Sequence, residues 1–183
     1  MLRMGAILCG CASFLLSAQP GHADAGCDNS SLNGVYPFTA IGFTMGIYDT
    51  SNPPTLHYLN PPQPLSSVGQ YTFDGQGKFT RVDFIMGNGK PVSPSGFRPG
   101  QFGTYTINED CTGVISINAS GAMIELEVVV VDFGASAHAI VASESVPFFP
   151  NPPPGTSCTP TAPCDEGVNI LVELKKDVHG RHY

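Results

Sequence analysis

Between Gln101 and Ser143 the chain alternates apolar and polar residues in short runs broken by turn formers. Side chains change face at every residue of a strand, so a period of two marks half-buried strands. Residues 103–107 set Tyr105 and Ile107 on one face, Thr104 and Thr106 on the other. Asn108, Asp110 and Gly113 tolerate positive φ or hydrogen-bond their own backbone, which predicts a hairpin loop. Residues 114–118 form the next strand, with Ile115 and Ile117 sharing an apolar face, and 118–121 turn the chain again. Residues 123–133 form the longest strand. One face carries Ile124, Leu126, Val128, Val130 and Asp132; the other carries Met123, Glu125, Glu127, Val129, Val131 and Phe133. The valine run argues for strand over helix, because β-branched side chains lose rotamer freedom in a helix and pack well on a pleated surface. A further strand follows at 138–142.

The same period recurs outside this run. Residues 35–43 form a first strand, in which Pro37 predicts an edge position, a bulge or the strand start. The proline-rich stretch from Tyr48 to Ser67 reads as irregular, with a short strand at 56–59. Strands at 68–73 and 78–86 flank Asp74-Gly75-Gln76-Gly77, the sharpest hairpin signal in the chain. Residues 87–100 read as a long loop, and 143–167 as a proline-rich loop whose prolines prevent a regular ladder. A last strand, 168–175, aligns Val168, Ile170, Val172 and Leu174 on one face. Eight or nine strands and no useful amphipathic helix predict an all-β fold. The pattern favours a closed eight-stranded antiparallel β-barrel, with a β-sandwich as the alternative. Such a barrel is just wide enough for packed side chains or one small ligand.

The front of the chain changes the setting. Arg3, the apolar run after it and Ala23-Asp24-Ala25 read as a signal peptide over residues 1–25, leaving 26–183 as a single domain. Export to the periplasm or the medium is expected, with no transmembrane segment. A lipoprotein is the alternative: Cys27 lacks the apolar residue three places before it, and Cys11 fits that pattern better but leaves a very short signal. Asp and Glu number 15 against 8 Lys and Arg, so no basic footprint for nucleic acid or anionic lipid exists. Cys27, Cys111, Cys158 and Cys164 remain after cleavage, an even number that reads as disulfides in an exported chain. Of three possible pairings, Cys158–Cys164 as a local clip and Cys27–Cys111 as a long-range tie are favoured. Zinc is the competing reading, but there is no C-x-x-C spacing and no histidine close in sequence.

Candidate chemistry is sparse. Glu125 and Glu127 share one face of the longest strand; lining a barrel, they would act as acid or base with raised pKa values. The plainer reading puts that face in solvent and the Ile124–Val130 face in the core. Val129, Val131 and Phe133 continue the glutamate face and suit a subunit contact. His138 is a weak catalytic candidate, more often a packed or surface residue. His57 and Tyr58 fall in a proline-rich loop, and His179 and His182 in the tail. Tyr36, Phe38, Tyr71, Phe73 and Tyr105, with Phe79 and Phe84, either line a ligand cavity or fill the core of a chain without tryptophan. Phosphate-loop, calcium-loop, G-x-S-x-G and His-Glu-x-x-His motifs are missing, so no metal, cofactor or reaction is indicated.

The segments SLNGVYPFTAIGF, GQYTFDGQGKF and GTYTINEDCTG resemble exported bacterial proteins of unknown role that are placed with the allene oxide cyclase barrel-like, or dirigent-like, domains. The resemblance spans about residues 27–142 and rests on turn motifs. It implies an eight-stranded antiparallel barrel, an apolar small-molecule ligand and a homo-oligomer, often a trimer. No catalytic motif of those enzymes matches residue by residue. The expectation is a non-enzymatic exported barrel that binds a small apolar ligand or serves as an interaction module. A cyclase- or isomerase-like enzyme acting in the lumen and a structural envelope component are the alternatives.

Overall fold

The computed structural model describes residues 26–177. The expected signal peptide, His179 and His182 lie outside them. Nine strands follow one another: β1 (Asn33–Tyr48), β2 (Leu56–Asp74), β3 (Lys78–Gly87), β4 (Lys90–Pro91), β5 (Arg98–Ile107), β6 (Thr112–Ala119), β7 (Ala122–Val131), β8 (Ser136–Val146) and β9 (Cys164–Lys175). They are ordered β2-β1-β9-β8-β7-β6-β5-β3-β4, and β2 also pairs with β3. That pairing closes eight antiparallel strands into a barrel with β4 appended, as predicted, and rules out the sandwich. Closure leaves the eight strands no free edge.

One end of the lumen is plugged by aromatic rings. Tyr71 and Phe73 stack at 5.3 Å between centroids, and Tyr105 meets Phe73 edge-on at 5.0 Å. Tyr36 and Phe79 pack around Phe73. Tyr105 Oη donates to the Leu32 carbonyl at 2.8 Å and Tyr36 Oη to the Gly134 carbonyl, so neither buried phenol is left unpaired. Gly103 allows Phe79 to lie flat here: a Cβ at that position would stand 2.6 Å from the Phe79 ring and 2.0 Å from the Ser116 carbonyl oxygen. The Cys27–Cys111 disulfide, with Cα atoms 4.9 Å apart, ties the segment before β1 across this end. Cys158–Cys164 clips the loop before β9.

The structure departs from the sequence reading chiefly by longer strands: β1 runs on to Tyr48, β9 begins at Cys164, and short β4 falls in the expected loop 87–100. Proline-rich 60–67, expected to be irregular, is part of β2. The β1–β2 ladder shifts register between Thr44 and Gly46, pairing Thr44 with Gln63 and Gly46 with Tyr58. Pro61 and Pro62 therefore sit where the ladder is broken and no backbone N–H is missed. Likewise Pro37 lies beyond Phe38, the last β1 residue paired with β9. Residues 98–102, read partly as loop, begin β5, and 143–146 extend β8. Both extensions carry bulges, and these place the site.

Candidate functional site

Plain alternation along β3 puts Phe79, Arg81 and Asp83 inward, and all three are buried. Phe79 joins the aromatic plug; Arg81 and Asp83 begin a polar half of the lumen above it. Across from them, β5 is bulged: Arg81 pairs with Gln101, and Asp83 with Arg98. Residues three apart on a regular strand face opposite ways, but Pro99 and Gly100, the latter at φ 78, stand opposite the single residue Val82, and this one-residue bulge brings Arg98 and Gln101 both to Asp83. Asp83 is 0% exposed. Its carboxylate accepts from Arg98 Nε and Nη2, each at 2.8 Å, and from Gln101 Nε2 at 2.7 Å. Arg81 Nη2 stands 2.9 Å from Asp83 Oδ2. The Arg81 guanidinium packs over two touching aromatic rings, 4.7 Å from the Phe38 centroid and 5.3 Å from that of Tyr71.

A second slip occurs where β8 parts from its neighbours. Leu126 pairs with Val141, but Glu125 pairs with Ser143. On the other side, β8 and β9 pair up to Ile140–Leu171 and resume only at Glu144–Glu166. Without the bulge, the inward set Ala137, Ala139 and Val141 would continue to Ser143. With it, Glu144 turns towards the lumen, directly across from Glu166. Thr44 Oγ1 donates to Glu166 Oε2 at 3.3 Å. Burial raises the Glu144 carboxyl above its ordinary range, against the pull of Arg81 and Arg98. Burial first, then Glu144, push Glu166 up to about 8, while the Thr44 hydrogen bond acts the other way. Two half-buried carboxyls facing each other thus hold a proton at neutral pH.

The split between β8 and β9 opens a side cleft of about 470 Å³. Tyr48, Pro54, Met123 and Ile124 give it apolar walls; Glu144, Glu166 and Asp165 are acids along it. Behind Ile124 and Glu144 lies a void of about 40 Å³ bordered by Phe38, Ser67, Tyr71 and Arg81. Ile124 and Glu144 line both spaces.

The glutamate pair predicts a pH dependence. Glu166 binds its proton more tightly folded than unfolded, so the folded state carries more protons between pH 4.5 and about 8. Stability therefore falls as pH rises through that window, by roughly 2 kcal/mol or more. Glu166→Gln should flatten the slope and exceed the parent in stability above the window. Urea denaturation across the range checks this; a parent curve that rises over the same interval contradicts it.

The residues singled out from the sequence fall partly at this site and partly away from it. Glu125 and Glu127 are exposed on the outer face of β7, Glu125 at the cleft rim; the apolar surroundings that made them acid–base candidates belong to Ile124 and Leu126 instead. His138 is exposed, between Val129 and Glu173 on the adjoining strands. Tyr36, Phe73 and Tyr105 pack within the plug, while Phe38 and Tyr71 also border the void. His57 Nε2 pairs with Asp49 Oδ2 at 2.9 Å in the β1–β2 hairpin, and Tyr58 is exposed. Among the described residues, no three His, Cys, Asp or Glu side chains gather closely enough to hold a metal ion.

Sequence reasoning missed Arg81, Asp83, Arg98, Gln101, Glu144 and Glu166. Arg81 and Asp83 share a face with Phe79, and Glu166 shares one with Val168 and Ile170, so alternation alone pointed to these three. Arg98 and Glu144 depend on bulges that alternation cannot show. Compared with family models, curated proteins and solved structures, the chain matches none; the barrel and its site stand on their own geometry.

Proposed function

We propose that the protein is an exported binding barrel that takes a small, mainly apolar molecule through the side cleft between β8 and β9. The observation that carries this reading is the asymmetry of the lumen. One end is filled by aromatic rings, while the other opens through a split ladder onto apolar walls with a few convergent polar groups, the usual make-up of a small-molecule site. The paired cysteines suit an oxidising compartment, and the resemblance to allene oxide cyclase barrel-like domains points the same way. The chain has no tryptophan, so Met123→Trp, at an exposed cleft position, makes a single fluorophore. Its emission should shift to the blue, saturably, on titration with medium-chain alkyl ketones, alcohols or amines. Emission that no such compound alters counts against the cleft.

A second reading as an interaction module rests on the outer wall. Ile41, Leu171 and Ile140 lie in one cross-strand row over β1, β9 and β8 and are 67, 61 and 43% exposed. Such a row favours contact with another protein surface.

A further inference from the structure

The cleft and the void behind it differ in chemistry, and the void is short of acceptors. Arg81 is 6% exposed and Ser67 4%. Arg81 Nε and Nη1, and Ser67 Oγ, have no hydrogen-bond partner among the described residues. All of these side chains border the 40 Å³ void. Leaving such donors unmade in a buried site costs about 1–3 kcal/mol each, more for a charged group. The void is large enough for a one- or two-atom head and too small for a ring. The guanidinium is also fixed in place: Asp83 holds one end, and the Phe38 and Tyr71 rings, in contact with each other, pack against it.

We propose that this void receives a carbonyl oxygen of the ligand, which accepts from Ser67 Oγ–H and one of the free Arg81 N–H groups, so that the ligand class is an apolar molecule bearing a neutral ketone, ester or amide group. This rests on the cleft reading, which supplies the route past Ile124 and Glu144. Charge selects the neutral head. Asp83 already pairs with both Arg81 and Arg98, and the way in passes the acids Glu144, Asp165 and Glu166. An anionic head would add an unmatched charge in a poorly hydrated site, and an ammonium would bring donors to donors. The apolar remainder of the molecule then lies along Ile124, Met123, Pro54 and Tyr48 in the cleft.

The test uses the oxidised protein with three probes of equal chain length: 2-octanone labelled with carbon-13 at its carbonyl, octanoate and octylammonium. Binding is read both from Met123→Trp emission and from the carbonyl resonance. The expected result is that 2-octanone binds about tenfold or more tightly than the other two, as the loss of a charge-assisted hydrogen bond implies. Its carbonyl resonance should move downfield, the signature of a strong donor at that oxygen. Ser67→Val, which removes one donor and fills the void, should weaken 2-octanone by a similar factor and reduce the shift, while melting as the parent does. Arg81→Met, if it folds, should abolish the shift. Octylammonium or octanoate binding as tightly as 2-octanone, with no carbonyl shift, overturns this inference and leaves the cleft reading intact. None of the three probes changing the tryptophan emission overturns both.

Discussion

Replacing Asp83 by asparagine should destabilise the barrel by about 3–5 kcal/mol, because it leaves buried guanidinium groups without their counter-charge. Asp83 is fully buried and receives donors from Arg98, Gln101 and Arg81 at 2.7–2.9 Å. The asparagine has nearly the same shape but presents an amide N–H₂ where a carboxylate oxygen stood, so donor meets donor. In a domain of this size the loss corresponds to a drop in melting temperature on the order of 10 °C. Breaking one partner of a buried network costs far more than exchanging the whole network for apolar side chains. Arg81→Met, Asp83→Leu and Arg98→Met together should therefore be less damaging than Asp83→Asn alone. Thermal denaturation of the parent and the two variants decides it. If Asp83→Asn melts with the parent, the network contributes little to folding, and the polar half of the lumen needs another explanation.

Removing the Cys27–Cys111 disulfide should cost a comparable amount. The bond closes a sequence separation of 84 residues, for which the chain-entropy model gives roughly 4–5 kcal/mol. It also seats the segment before β1. Cys27 N donates to the Glu109 carbonyl at 3.1 Å. The following turn brings Asn29 Oδ1 to the Ile107 amide at 2.8 Å and the Leu32 carbonyl to Tyr105 Oη. Without the bond, this segment has a longer way to fall before it re-caps the aromatic plug. Cys27→Ser with Cys111→Ser should lower the urea midpoint strongly, whereas Cys158→Ser with Cys164→Ser closes only a separation of 6 and should cost much less. Equal losses from the two pairs contradict the argument that loop length matters here.

The sequence showed the barrel well because its strands announce themselves by alternation. Ile115 and Ile117 on β6, or Ile124 to Val130 on β7, face inward just where a period of two puts them. The site was much less legible, for a physical reason. It is built at irregularities, and an irregularity resets the alternation by which a sequence is read. Pro99-Gly100 looked like loop chemistry, yet it is the bulge that turns Arg98 and Gln101 onto one carboxylate. The slip beside Ser143 reverses the faces of β8, so Glu144 enters the lumen. Glu125 and Glu127, on the unslipped part of β7, stay outside. Prolines misled in the opposite direction: Pro61 and Pro62 were read as breaking a strand, but they occupy a stretch of β2 where the ladder is already interrupted. A continuous strand with a gap in its pairing looks, in sequence, like a loop.

The claim that a ligand enters between β8 and β9 is tested most directly by nitrogen-15 amide spectra of the oxidised protein during titration with 2-octanone. The account predicts saturable shifts concentrated at Ile124, at residues 143–145 and at Asp165 and Glu166, with the amides of Phe73 and Tyr105 in the plug unmoved. Shifts confined to the outer row of Ile41, Leu171 and Ile140, or no saturable shift at all, would contradict it.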